Sequence, residues 1–373
     1  MKIQKLNLRS TALMFIIIAC CAWHVQGQNV TAPRQSPPAE LKQTIGLTEI
    51  KVNYSRPNVV RNGQDRTGNV WGNTVRYGYQ KINFGSKNEI PWRAGANENT
   101  VISFSHDVKI EGKSLKAGKY GLHMAIHEDG KATVIFSENI TSWGSFYYDE
   151  SEDKLRVDVK MEDTQHIPVL TYDFIDFGTD YGILALSWEK KRIPIRIEVD
   201  VKEQVAASFR DELRGPSGFG WQAPLSAANY CMQLNFNHEE ALGWAERSIG
   251  SNKNFNNLTT KAGLLIQMGK TSEAISTADE AAQLASVNQL NSLGYQMMQL
   301  GQLEKAVEYF ELNVKNNPKD ANVHDSLGEA YKAKGEKQKA IKSFRKSLSL
   351  NPPQNVKDNS IKNLKELGVE VGS

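Results

Sequence analysis

Trp92, Arg93, Asn97 and Glu98 sit close together in a stretch completed by Ala94, Gly95 and Ala96. Small residues let a backbone approach a ligand, while the indole offers a stacking face, the guanidinium a fork of donors and Glu98 a carboxylate. Such a set could hold a sugar or a peptide terminus. The same residues would also serve an internal network, with Arg93 paired to Glu98 or another carboxylate and Trp92 packed under a loop. Further on, Trp143, Phe146, Tyr147 and Tyr148 precede Asp149 and Glu150. Aromatic rings beside acids suit a carbohydrate surface, and equally the core of a strand or hairpin. Glu98, Asp149 and Glu150 are the carboxylates open to a sugar hydrolase, which needs two carboxyls about 5 to 9 Å apart in opposed environments. Nothing in the spacing fixes such a distance.

His123 and His127 raise the question of a metal. On a helix both rings would share a face, but Gly118, Gly121 and the surrounding alternation predict a strand. Four strand residues span about 13 Å, too far for two rings to share one ion at roughly 2.1 Å. Only a fold-back at Glu128-Asp129-Gly130 would rescue the pair, with His106 as third ligand. The chain has no phosphate-cradling glycine loop, nucleophile elbow or paired-cysteine motif. No catalytic residue, metal or cofactor is therefore expected.

The elements that must position these residues change type once along the chain. Ile50, Val52 and Tyr54 alternate with polar neighbours, as do Leu155, Val157, Val159 and Met161, and as do Ile193, Ile195, Ile197, Val199 and Val201. A period of two places one face on a core and the other in water, as in antiparallel sheets. Shorter strands are expected at 101–104, 133–136, 170–174 and 183–188. Together they predict a β-sandwich over residues 43–201, preceded by a proline-bearing linker at 28–42. Near Lys202 the period becomes helical: Val205, Phe209 and Leu213 share a face, and a Gly215-Pro216-Ser217-Gly218 loop follows. The fold class expected is α+β in two domains.

Several ordered motifs of the β half closely resemble a bacterial domain-of-unknown-function family, number 2911. They are Lys51-Val52-Asn53-Tyr54-Ser55-Arg56-Pro57, Trp71-Gly72, the run from Trp92 to Glu98, the run from Gly118 to Met124, and Trp143-Gly144-Ser145-Phe146-Tyr147-Tyr148. The resemblance implies an exported protein of Bacteroidetes-like bacteria, often with helical repeats downstream, and no known activity. After Val75-Arg76-Tyr77-Gly78 this chain departs from the family pattern with an apparent insertion, Tyr79 to Pro91.

Toward the C-terminus, Ala241, Ala274, Ala306 and Ala340 recur at nearly constant spacing, each in a helical apolar pattern. The period, about 34 residues, resembles that of the tetratricopeptide repeat, a helical hairpin that must stack on its neighbours to bury its apolar face. About four repeats are expected over 222–352, after a connecting helix and loop at 202–221 and before a capping helix at 353–373. Matching the first-helix positions that face the groove in that family selects Tyr230, Asn288, Asn291, Tyr295, Met298, Asn322, Asp325 and Glu329. Asparagine amides can bond an extended backbone, and tyrosines give rigid contact area. Asn291 and Asp325 stand where some relatives carry a carboxylate-clamping cation, so a neutral or basic peptide is favoured over an acidic tail. The alternative is a groove filled by the chain itself.

Composition and the leading segment set the context. A net charge of +3 over 373 residues gives no reason for a nucleic-acid partner. Residues 1–27 carry Lys2, Lys5 and Arg9, an apolar run from Ala12 to Ala22, and small residues up to Gly27, the layout of a secretory signal. Ile17-Ile18-Ala19-Cys20 also resembles a bacterial lipobox, so export to the periplasm or medium and an outer-membrane lipoprotein anchored at Cys20 both stand. The function expected is binding or scaffolding at the cell envelope through a protein or peptide partner, with a carbohydrate-active β domain as the competing reading.

Overall fold

A computed structural model describes residues 33–370, so the expectations for residues 1–27, Cys20 included, lie outside the described residues. The chain divides between Val201 and Lys202 into two compact units. Fourteen strands occur among the described residues of the first: β1 (Pro38–Ile45), β2 (Thr48–Ser55), β3 (Val60–Arg61), β4 (Gln64–Asp65), β5 (Gln80–Lys81), β6 (Glu89–Ile90), β7 (Thr100–Phe104), β8 (Val108–Ile110), β9 (Lys113–Leu115), β10 (Gly118–Ile126), β11 (Lys131–Ser137), β12 (Asp153–Lys160), β13 (Glu162–Phe177) and β14 (Tyr181–Val199). One sheet runs β1-β2-β7-β10-β11-β12 and another β13-β14-β8-β9, with every pairing antiparallel. Their inward residues meet in one core: Ile50, Ile102, Leu122, Met124 and Phe136 from the first, Leu184, Trp188, Ile193, Ile195 and Ile197 from the second. Each fully buried aliphatic side chain here contributes about 2 kcal/mol.

Two sequence expectations need correction. The stretch expected as linker ends at Pro37, because residues 38–42 are already β1, paired from Pro38 opposite Ser55 to Ile45 opposite Thr48. Proline fits the first residue of an edge strand, where its missing N–H breaks no ladder bond. The strands expected at 183–188 and 193–201 are one continuous β14. Glu189 takes a positive φ of 56° in mid-strand, and the register with β13 shifts on either side of Ile167, its partner. This bulge carries the strand through the polar run Glu189 to Arg192 that reads as a break.

The insertion Tyr79 to Pro91 is a docked hairpin, not a free loop. Its β5 and β6 pair, and Tyr79, Ile82 and Ile90 pack on Ile135, Phe146 and Tyr148 in a small core of their own. Ile135 alternates with Val134 and Phe136, so it points away from the main core, and His123 lies directly opposite it on β10. The insertion thus roofs the outer face of the larger sheet, which makes His123 a buried residue.

The helices are α1 (Val201–Glu212), which begins on the last residue of the first unit, and, within the second, α2 (Gln222–Gln233), α3 (His238–Ser251), α4 (Phe255–Gln267), α5 (Thr271–Ala282), α6 (Val287–Gln299), α7 (Leu303–Asn316), α8 (Ala321–Ala333), α9 (Lys337–Leu348) and α10 (Gln354–Glu366). Helices α2 to α9 form four hairpins. Gly269, Gly301 and Gly335 close three of the hairpin turns with φ between 71° and 82°, while the first turn uses Asn235 and Asn237 in the same left-handed region. Gly294 and Gly328 let the paired helices meet: a Cβ there would stand 2.6 and 2.7 Å from the rings of Phe310 and Phe344. Cys231 is buried in the first hairpin, where burial pushes its thiol up to about 11.

Candidate functional site

The groove positions lie on first helices α2, α6 and α8, but the structure treats them unequally. Tyr230 meets Phe209 and Phe236 edge to face at 5.6 and 6.2 Å, so α1 and the hairpin turn make it part of an aromatic cluster. Half-buried, its ring is held by packing within that cluster. Tyr295 is half-buried against Phe310, and its hydroxyl bonds Glu329 at 2.7 Å and Ser326 at 3.0 Å. Met298 is half-buried against the repeat core.

Asp325 and Glu329, expected as free groove contacts, are satisfied by the chain. The Asn359 amide of α10 donates to both carboxylates at 2.7 Å, and the Ser360 hydroxyl donates to Asp325. The physical reason lies in the repeat. Asn359 and Ser360 fall one repeat period after Asp325 and Ser326, so α10 stacks like the first helix of a further repeat. Burial raises Asp325 above the usual carboxylate range, with nearby Glu329 acting in the same direction against the two donors. A carboxyl raised in the folded state contributes stability that is full below its unfolded pKa of about 3.9 and is lost as pH rises through the folded value. Asp325→Asn should abolish that slope, read by amide exchange in α10. An undiminished slope in the variant would assign it to another group.

What remains open is a set of amides. The side chains of Asn288, Asn291 and Asn322 make no hydrogen bond among the described residues, and Asn291 Oδ1 is shielded from solvent without a partner. Asn288 is exposed, whereas Asn291 and Asn322 are half-buried, on the adjacent helices α6 and α8.

In the β domain the expected constellation is internal. Trp92 stacks on Trp188 at 6.3 Å and meets Trp71 edge-on at 5.9 Å, while its indole N–H donates to the Gly95 carbonyl. Its ring is half-buried, with Trp188 stacked on one side. Arg93 donates to the Asn97 carbonyl at 2.6 Å and lies over the Phe146 ring, not beside Glu98. Asn97 donates to the Ser36 carbonyl, and Glu98 pairs with Arg34. Trp143 and Tyr147 are exposed, at 51% and 58%.

Beside Tyr148 a cavity of about 430 Å³ opens between the insertion and residues 148–156, lined by Tyr79, Asn88, Glu89, Tyr148, Asp149 and Glu150, with Arg156. Its polar floor is pre-bonded. The Tyr148 hydroxyl donates to Asp153 at 2.7 Å, and Arg156 reaches Tyr148, Asp153 and Glu150 at 2.6 to 2.7 Å. Burial raises Asp153, a residue that sequence reasoning missed because it lies outside the aromatic run. Asp149 caps the turn after it and is held low by the Ser151 N–H and hydroxyl. Burial works against Glu98, but its own backbone N–H, Arg34 and Ser55 hold it low. A glycosidase acid must be raised, so neither Glu98 nor Asp149 has the environment that role demands.

His123 Nδ1 lies 2.9 Å from Ser145 Oγ, and its ring meets Tyr148 edge-on. Burial, with the Arg93 charge second, lowers it to about 4. His127 bonds Thr133 at 2.9 Å, and among the described residues no three potential ligands gather for a metal.

Antiparallel helical hairpins repeating at one near-constant period, following a two-sheet sandwich in the chain, define a tetratricopeptide-type repeat protein with an N-terminal β domain. Residues 36–197 match the family described as a protein of unknown function (DUF2911), and residues 321–353 match a tetratricopeptide repeat. No curated protein matches the chain. Among solved structures, MamA from Desulfovibrio magneticus is 19% identical, with 41% of this chain and 94% of that one covered and a TM-score of 0.29. YrrB, titled a TPR protein with an unusual peptide-binding site, is 15% identical over 42% of this chain and 82% of that one, at 0.30. The C-terminal part of a TPR repeat-containing protein from Cytophaga hutchinsonii is 18% identical over 44% and 75%, at 0.32.

Proposed function

We propose that this is an exported cell-envelope binding protein whose repeat half holds an extended neutral or basic polypeptide against α6 and α8. The observation that carries the reading is the contrast within the groove. Tyr295, Asp325 and Glu329 are bonded by the chain itself, while the amides of Asn288, Asn291 and Asn322 are left over on neighbouring helices. The Asn288 and Asn322 amides each supply a donor and an acceptor, which matches the alternating C=O and N–H of an extended strand, while Asn291, whose Oδ1 is shielded from solvent, offers the donors of its Nδ2. Half-buried Glu329 beside this set favours a neutral or cationic ligand. The layout of residues 1–27 supports export, with lipidation at Cys20 as the alternative mode.

Panning a random dodecamer library on the full chain tests this. Neutral or basic sequences that are not retained by an N291A/N322A variant are expected; retention by both proteins alike would contradict the groove.

The exposed Trp143 and Tyr147 favour a second reading for the β domain, a platform for sugar rings. Soluble envelope glycans should then quench Trp143 fluorescence, measured against Trp143→Phe.

A further inference from the structure

The second helices of the four hairpins are structurally equivalent, yet their charge reverses along the array. Helix α3 has three acids against Arg247, α5 has three acids and no cation, and α7 has three acids against two lysines. Helix α9 has no acid and five cations, Lys337, Lys339, Lys342, Arg345 and Lys346. The chain-wide charge of +3 conceals this concentration.

Lys339, Lys342 and Lys346 fall at i, i+3 and i+7, with Arg345 beside them, while Ala340, Ile341, Phe344 and Ser347 face the core. Like charges at these spacings cost a helix a few tenths of a kcal/mol per pair, so repeat packing alone gives no reason to gather them. Little neutralises them. Lys339 shares Glu336 with Lys334, and Lys337, Lys342, Arg345 and Lys346 make no ion pair among the described residues. All five are exposed, along a helix about 18 Å long.

We infer that α9 is a docking stripe for the anionic phospholipid headgroups of a bilayer surface. The choice of partner follows from what the stripe lacks. None of the exposed large apolar side chains lies on α9, whereas a protein interface is anchored by buried aromatic or aliphatic groups and single-stranded nucleic acid by stacking rings. Four of the five cations are lysines, compact point charges suited to a diffuse layer of phosphates more than to bidentate pairing. The apolar face of α9 is spent on the repeat core, so the contact is electrostatic and does not insert. It is independent of the peptide groove.

Vesicle flotation of the full chain tests it, with phosphatidylcholine vesicles containing or lacking about 30% phosphatidylglycerol. The neutral vesicles subtract whatever the N-terminal apolar run contributes. The anionic-dependent partition should fall about 100-fold in K339Q/K342Q/K346Q, persist in K339R/K342R/K346R, and vanish in the native chain at high salt. Because the three side chains are exposed, the variants should fold as the native chain does, checked by circular dichroism. Equal partition of the glutamine variant and the native chain would overturn the inference. So would capture of polyglutamate through the same lysines without any preference for anionic vesicles, which would make the partner an acidic protein.

Discussion

Between pH 6.5 and pH 4 the β domain is expected to lose about 3 kcal/mol of stability through one residue, His123, if its folded-state pKa is about 4. The residue is 2% exposed under the docked insertion, and the nearby Arg93 adds repulsion to the cost of burying an imidazolium. The sign follows from proton binding. Above 6.5 both folded and unfolded chains hold the neutral ring, so the contribution is fully present. As pH falls toward 4 the unfolded chain takes up a proton that the folded chain refuses, and the contribution is lost. Amide exchange in β10 and β11 should report the loss in the native protein and a flatter profile in His123→Gln. The same slope in the variant would transfer the effect to another group.

Phe310→Ala should destabilise the repeat array by about 3–5 kcal/mol, because a fully buried ring is removed from a helix-helix contact. Gly294→Val should also be costly, by about 2 kcal/mol, since its Cβ would lie within 2.6 Å of that ring and the ring is enclosed. The two losses share one contact. The double variant should therefore fall short of the summed single losses by about 1 kcal/mol or more, because the valine occupies part of the space the ring vacates. Chemical denaturation followed by far-ultraviolet dichroism measures all three. Strict additivity would mean that Gly294 and Phe310 do not pack as the structure has them.

Both halves of the fold are legible in the sequence because each buries one face of a regular element. Alternation from Ile193 to Val199 declares a strand, and the recurrence of an alanine once per hairpin declares a stacked array. Where a local rule is broken the reading fails. Glu189 holds a positive φ inside β14, and Pro38 opens a strand that looks like tether. The site is less legible because partner identity is a tertiary property. Trp92, Arg93 and Glu98 carry ligand-binding groups, but Trp188, the Asn97 carbonyl and Arg34 reach them first. For Asp325 the signal is present, since one repeat period leads to Asn359, but that partner lies past the last full repeat.

The leftover amides of α6 and α8 carry the proposed function, and fluorescence anisotropy of a panned peptide on the full chain tests them directly. The peptide should bind N291A/N322A about 10- to 100-fold more weakly than the native chain, each lost amide bond being worth about 1 kcal/mol or more. It should bind Tyr230→Phe unchanged, because that ring belongs to the aromatic cluster with Phe209. Equal affinity for the native chain and N291A/N322A would contradict the claim.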